Sequence, residues 1–231
     1  MEISLQSKKN YKHLDTITAL FVAVLLISNI ASSKIMDLGI MSIDGGVIIF
    51  PLSYIFGDIL TEVYGYKRSR KVIWLGFTSA LIMSVSLIIV GALPPDAQWG
   101  LQDAYNSILG LTPRIVAASL LAFFAGEFSN SFILAKMKIL TKGKMLWTRT
   151  IGSTLIGELI DTVVFILIAF YGIFPDSLII ELIIANYIIK TSVEILLTPV
   201  TYKIVRWLKT QEEEDYYDTD TNFSPFKFSS E

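Results

Sequence analysis

The stretch TIGSTLIGELIDTVVFILIAFYGI, residues 150–173, decides the fold: 24 residues in a row carry only two charges, Glu158 and Asp161. A bilayer core about 30 Å thick is crossed by about 20 largely apolar residues in a helix. A surface helix of a soluble protein shows one apolar stripe and a polar opposite face, and this run has no such face. Five further runs have the same character, near 14–33, 46–64, 71–93, 114–136 and 179–205. Turn and breaker signals separate them: Asp44-Gly45-Gly46, Gly65, Pro94-Pro95-Asp96, Thr112-Pro113, Thr141-Lys142-Gly143 and Pro175-Asp176. The first run is too long for the apolar heart of a secretory signal and ends without a clear small-residue cleavage site, so it reads as a retained span.

Composition agrees. Of the 231 residues 53% are hydrophobic and 17% charged, against roughly 45–50% and about 25% in an average soluble domain. The excess apolar content has no soluble interior to fill. Zero cysteines exclude disulfides, thiolate zinc sites, a cysteine nucleophile and thiolate-held iron–sulfur clusters, and a lone histidine, His13, leaves no histidine metal site. No cofactor is therefore expected. A net charge of −2 argues against a nucleic-acid surface.

The positions of the charges set the orientation, because Lys and Arg are retained on the cytoplasmic side during insertion. Sixteen of the 19 basic residues fall at four places: Lys8, Lys9 and Lys12; Lys67, Arg68, Arg70 and Lys71; Lys136, Lys138, Lys142, Lys144 and Arg149; and Lys203, Arg206, Lys209 and Lys227. The alternate loops hold only Lys34 and Arg114. The sequence thus predicts an all-α integral membrane protein with six transmembrane helices and both termini inside. The membrane domain is expected over residues 1–209, and an acidic, solvated cytoplasmic tail over 210–231. The outward segment from Pro94 to Pro113, with Trp99 and Tyr105, reads either as a short interfacial helix or as an ordinary wet loop.

Six carboxylates and one amine then remain inside the spans: Asp58, Glu62, Glu127, Glu158, Asp161, Glu194 and Lys190. A charge near the bilayer centre costs at least ~2.5–3.5 kcal/mol unless it faces the bundle interior and finds a partner. Asp58 lies nine residues before Lys67, Glu127 nine before Lys136, Glu158 nine after Arg149 and Glu194 nine before Lys203. At 1.5 Å per residue that is about 13–14 Å, the middle of the hydrocarbon. Four helices therefore carry an acid at one level. Asp58 and Glu62, Glu158 and Asp161, Lys190 and Glu194, and Glu127 and Asn130 are each three or four apart, hence on one helix face. Glu62, nearest the inner boundary, is expected to snorkel. Glycine precedes three of the acids, at Gly57, Gly126 and Gly157; these serve close helix packing or the approach of backbones to a flat ligand. Aromatic residues including Phe50, Tyr54, Phe123, Phe124, Phe128, Phe165 and Tyr187 flank the layer. Carboxylates that accept two adjacent N–H bonds, with rings to stack against, suit a planar heterocycle. No phosphate loop, no G-x-S-x-G elbow and no H-E-x-x-H is present, and mid-membrane acids fit a carrier better than a channel.

At these residues the chain resembles a known family. Phe50-Pro51-Leu52-Ser53-Tyr54, Gly57-Asp58-Ile59-Leu60-Thr61-Glu62-Val63-Tyr64-Gly65-Tyr66, Glu127-Phe128-Ser129-Asn130, Arg149 to Thr154 with Gly157-Glu158 and Asp161-Thr162, Tyr187 to Lys190 with Glu194 and Pro199, and the tail from Asp218 to Phe226 look like the queuosine precursor transporter family, formerly described as a vitamin uptake family. The resemblance implies a six-helix carrier in the cell inner membrane, not an enzyme, importing 7-deazaguanine bases for queuosine in tRNA. Its partners would be that small molecule and membrane lipid, with no nucleic acid; a homo-oligomer is compatible. Matching the chemistry of such a base to the residues, the expected binding residues are Glu127 and Glu158 for its N1–H and amine edge, and Asn130 or Lys190 for its O6. Asp58, Asp161 or Glu194 would pair with an aminomethyl cation. Two other classes stay open. One is the substrate-binding subunit of an energy-coupling-factor vitamin importer, suggested by Ala19 and Ala23 on the first span. The other is an intramembrane enzyme using paired carboxylates.

Overall fold

A computed structural model describes residues 10–32, 34–37, 42–109, 113–172 and 175–226. Lys8, Lys9 and Lys227, counted above among the inward basic residues, lie outside them. Seven α-helices account for most of the described chain: α1 Leu14–Ala31, α2 Pro51–Tyr64, α3 Tyr66–Ala92, α4 Gln102–Leu109, α5 Pro113–Leu140, α6 Leu146–Phe170 and α7 Asp176–Glu212. Between α1 and α2 a small hairpin pairs β1 (Ile35–Asp37) with β2 (Ser42–Asp44) antiparallel, Met36 opposite Ile43, and a 3-10 turn over Gly45–Ile48 leads into α2.

Each of the six apolar runs lies largely on an α-helix, but the helices differ in length and in what they can span. Helices α1, α3, α5 and α6 are long and apolar enough to cross a membrane. Helix α2 has 14 residues, about 21 Å at 1.5 Å per residue, short of a bilayer core. Pro51 opens it and fixes the first turn, so helix begins five residues later than the apolar run does. Helix α7 has 37 residues with Pro199 inside; it runs beyond the apolar stretch into its charged end. Between Pro94 and Pro113 the chain forms the short helix α4, none of whose residues is buried.

Helix α2 sits at the centre. It packs against α1, α3, α5 and α7, and all its residues except Leu52 and Phe56 are buried. The long helices surround it, with α5 lying along α6 and α7 closing against α6 and α2. The packing is inverted relative to a soluble bundle. Large apolar side chains such as Leu75, Ile82, Val85, Ile89, Leu121, Ile184 and Leu196 point outward, while Asp58, Glu62, Glu127, Asn130, Arg149, Glu158 and Asp161 are buried. Water as solvent would reverse that arrangement; hydrocarbon favours it. The protein is a multi-pass membrane protein.

The start of α1 and the end of α7 meet at one end of the bundle. Tyr11 donates through its hydroxyl to Glu214 at 2.7 Å, and the Lys12 and His13 N–H groups donate to the Glu212 carboxylate at 2.9 and 2.7 Å, which satisfies donors at the start of α1. The α2–α3 and α5–α6 junctions lie at the same end: the Arg68 guanidinium stands 4.6 Å from the Tyr11 ring and 5.3 Å from the Tyr216 ring, and Tyr217 packs on Gly143.

The described part of the tail is largely exposed to solvent, as expected of a solvated segment, but it is docked rather than free. Glu213, in left-handed conformation, ends α7, and the described residues 213–226 fold back across the bundle end and along α3. The Tyr66 N–H donates to both Asp218 carboxylate oxygens at 3.1 and 3.0 Å, Arg70 donates to the Asn222 and Ser224 carbonyls at 2.8 and 2.6 Å, and the Trp74 indole donates to the Pro225 carbonyl at 2.8 Å. Phe223 and Phe226 add apolar anchors against Tyr66 and Trp74. Acidity suggested solvation, but the aromatic residues and the basic partners on α3 and α5 supply what a free tail lacks. Burial pushes the Asp218 carboxyl above the ordinary carboxylate range despite its hydrogen bonds. Partial burial acts in the same direction on Asp215, yet hydrogen bonds from Lys138 and Lys209 outweigh it and hold that carboxyl below the ordinary range.

Candidate functional site

Four helices bring all seven predicted residues into one buried cluster. Asp58 comes from α2, Glu127 and Asn130 from α5, Glu158 and Asp161 from α6, and Lys190 and Glu194 from α7. Asn130 donates its amide N–H to Asp58 Oδ1 at 2.8 Å. Glu194 accepts from the Thr154 hydroxyl. Lys190 Nζ donates to Asp161 Oδ2 at 2.5 Å and lies 3.5 Å from Glu158 Oε2. Glu127 Oε1 accepts from the Ser131 hydroxyl at a long 3.4 Å. The common depth deduced from spacing thus corresponds to physical adjacency.

Two of the glycines are there for close approach between helices. A Cβ on Gly126 would stand 2.9 Å from the Gly157 carbonyl oxygen, and one on Gly157 would stand 3.1 Å from the Gly126 oxygen, so α5 and α6 touch backbone to backbone. Gly57 has another role: a Cβ there would sit 1.9 Å from Glu127 Oε1, in the space the carboxylate fills. The packing role and the site role proposed for these glycines are therefore divided among them.

The cluster is poor in donors. Five carboxyls face one ammonium, and Glu127 Oε2, both Glu158 oxygens, Glu194 Oε2 and Asn130 Oδ1 are buried without a hydrogen-bond partner. Each such atom costs about 1–3 kcal/mol, so the arrangement suits a visitor carrying several N–H groups. Among the described residues no group of three or more His, Asp or Glu is arranged to hold a metal ion.

A small cleft of about 50 Å³, open on one side, leads toward the cluster from the end of the bundle opposite the start of α1. Asp161 and Lys190 line it, as do Asn29 and Ser119 and the rings of Phe50 and Phe165. Asp58, Glu127, Asn130, Glu158 and Glu194 are not among its lining residues. Lys190 Nζ lies 4.4 Å from the centre of the Phe50 ring, where a cation is attracted to the ring face. The other aromatic candidates serve elsewhere: Phe124 and Phe128 pack with Trp74, Phe123 packs on Phe21, Tyr54 donates to the Gly157 carbonyl at 3.3 Å, and Tyr187 donates to the Leu155 carbonyl.

Sequence reasoning missed the cleft's polar lining and misjudged Glu62. Asn186 lies four residues before Lys190 and extends the stripe that continues to Glu194, a signal present in the spacing; Asn29 and Ser119, joined by a 2.9 Å hydrogen bond, gave none. Glu62 does not snorkel. It is fully buried, with the Arg149 guanidinium on both oxygens, Lys209 Nζ at 2.6 Å and Lys138 Nζ at 3.6 Å. Those three basic residues were counted only as loop charges.

A sequence model of the family described as "putative vitamin uptake transporter" matches residues 44–204, a span that contains every residue of the cluster. The chain belongs to this family. Its curated relatives include a Bacillus subtilis (strain 168) protein named "probable queuosine precursor transporter", 28% identical over 186 residues, which cover 80% of this chain and 81% of that one. A protein of the same name from Haemophilus influenzae is 25% identical over 54% of this chain and 51% of its own length. The Escherichia coli (strain K12) "queuosine precursor transporter" is 23% identical over 65% of this chain and 66% of its own. No solved structure matches. Membership makes the chain a transporter rather than an enzyme.

Proposed function

We propose that this transporter imports queuosine precursors, 7-deazaguanine bases such as 7-cyano-7-deazaguanine, 7-aminomethyl-7-deazaguanine or queuine, and that it binds the base at the mid-membrane carboxylates. It sits in the cell inner membrane with six membrane segments and both termini cytoplasmic, α2 contributing a short central segment; residues 1–209 form the transport domain and 210–231 its cytoplasmic tail. The observation that carries this reading is the set of buried acceptor atoms without a hydrogen bond on Glu127, Glu158, Glu194 and Asn130, Glu158 being offset only by the Lys190 ammonium 3.5 Å away, beneath a cleft flanked by Phe50 and Phe165.

The chemistry is complementary. A 7-deazaguanine offers N1–H and an exocyclic amine on one edge, which the carboxylate of Glu127 or Glu158 accepts together, as carboxylates accept paired donors generally. Asn130 has committed its N–H to Asp58 and offers its oxygen, so it suits a donor on the base. The base's O6 is left to Lys190. Asp161, at the cleft, is placed for an aminomethyl cation, with Asp58 and Glu194 deeper. Uptake of labelled 7-cyano-7-deazaguanine by cells producing E127Q or E158Q tests the assignment: loss of uptake with normal membrane content supports it, and wild-type uptake rejects it.

One observation favours a second reading. Ala19 and Ala23 are both exposed on α1, open to a partner helix of the kind that couples vitamin-binding subunits to an ATPase. Purified chain reconstituted alone decides between them: uptake without partners supports the stand-alone carrier.

A further inference from the structure

The end of the bundle opposite the cleft is shut by two layers of contacts. The inner layer is Glu62 at the end of α2, gripped by Arg149 and by the Lys138 and Lys209 ammoniums. The outer layer is the tail. Asp215 takes the same two lysines, Lys138 at 2.6 Å and Lys209 at 2.8 Å, so both are shared between α2 and the tail. Beyond it, Lys138 donates to the Tyr216 carbonyl at 2.7 Å, and Tyr66 donates through its hydroxyl to the Phe223 carbonyl at 3.0 Å. Phe223 lies against the rings of Tyr66 and Phe132 at 5.0 and 5.2 Å, with Lys136 Nζ 4.0 Å from its centre.

The two layers differ in how readily they part. The Glu62–Arg149 pair is wholly buried, and breaking it leaves uncompensated charge. Asp215 is 47% exposed, so water can replace its ion pairs at little cost. Most of the tail's remaining bonds run from side chains to its own main-chain carbonyls, none within a helix or sheet, and can break one at a time. Helix α2 touches both regions: Asp58 in the cargo cluster is one turn above Glu62, and past Glu62 the chain turns at Gly65, whose φ of 83° no side chain readily adopts. The Tyr216 ring fills the place a Cβ would take on Gly65, 2.2 Å from it, and the Tyr216 N–H donates to the Val63 carbonyl. A carrier must open its midplane site to each side in turn.

We propose that residues 213–226 are a releasable gate on the cytoplasmic side: docked, the strap keeps the cargo cluster open only toward the cleft, and its lifting from α3, as Asp215 gives up Lys138 and Lys209, is the step that must come before the inner Glu62–Arg149 layer parts and cargo leaves inward. This rests on the transport reading above. Because the chain has no cysteine, the pair F132C/F223C introduces its only thiols, and a short cleavable thiol-to-thiol linker pins the strap. In proteoliposomes the pinned protein is expected to take up labelled 7-cyano-7-deazaguanine at least tenfold more slowly than the same variant after reductive cleavage, while binding of the base stays within twofold. Equal uptake before and after cleavage would overturn the gate. If that pair fails to fold or to bridge, Y66C/F223C, with ring centres 5.0 Å apart, gives the same comparison. Absence of base binding in the cleaved, folded protein would instead sink the transport reading, so the two failures are distinguishable.

Discussion

Replacing Gly57 by alanine separates cargo binding from folding. The new methyl would sit 1.9 Å from Glu127 Oε1 where ordinary contact begins at 3.4 Å, so the oxygen has to retreat by about 1.5 Å. The obstacle is the far end of a flexible side chain, and alanine is favoured over glycine inside a helix by roughly 0.5–1 kcal/mol. Thermal stability should therefore stay near wild type. Binding should not. A hydrogen bond to a charged group contributes about 1.5–3 kcal/mol, and tenfold in affinity is 1.4 kcal/mol, so displacing the carboxylate should weaken the base about 10- to 150-fold. Equilibrium binding of labelled 7-cyano-7-deazaguanine to purified wild type, G57A, E127Q and the double variant reads this directly. The two single variants should lose similar amounts, and the double variant little more than either, because both act on one carboxylate. Wild-type binding by G57A, or additive losses in the double variant, would refute the reasoning. Gly126→Ala makes the contrast: its methyl meets the Tyr54 hydroxyl at 2.3 Å, Asp161 Cβ at 2.7 Å and the Gly157 carbonyl at 2.9 Å, and backbone cannot retreat. That variant should yield little folded protein in detergent.

Arg149→Met removes the cation that holds both Glu62 oxygens; because Lys138 and Lys209 stay beside Glu62, the cost should fall below the about 3–5 kcal/mol of a fully broken buried pair, and thermal denaturation should show a clear drop, partly recovered in E62Q/R149M. Lys190→Met strands Asp161 beside Glu158, and D161N/K190M should recover folded yield better than the single variant, by size-exclusion yield from membranes. Glu212→Ala frees the N–H groups of Lys12 and His13 at the start of α1 and the Tyr64 hydroxyl; by analogy with lost helix caps it should cost about 1 kcal/mol, read as a modest shift in thermal midpoint with uptake preserved.

Much of the architecture was legible because the bilayer imposes a length on every span and a price on every buried charge. Five of the six apolar runs located the long helices, and counting nine residues from each basic flank placed Asp58, Glu127, Glu158 and Glu194 at one depth. Helix α2 was legible only as a run: that it is short and central follows from Pro51 and from neighbours on four sides, which periodicity does not report. Glu62 was misplaced because its partners Lys138, Arg149 and Lys209 come from distant points of the chain and looked like loop charges. The docking of the tail was hidden for the same reason. Its acids suggested solvation, while its anchors, Arg70, Trp74 and Lys138, lie some 75 to 155 residues away. What local sequence carries is depth and face; which buried charge meets which is settled by packing.

The most direct measurement of the central claim compares two ligands on purified protein: 7-deazaguanine, with its N1–H and 2-amine edge, and 7-deazahypoxanthine, which lacks the amine. Wild type should prefer the first by about tenfold or more, in keeping with a charge-assisted bond of about 1.5–3 kcal/mol, and the preference should vanish in E127Q/E158Q. A double variant that folds, binds and still discriminates as wild type does would contradict the account.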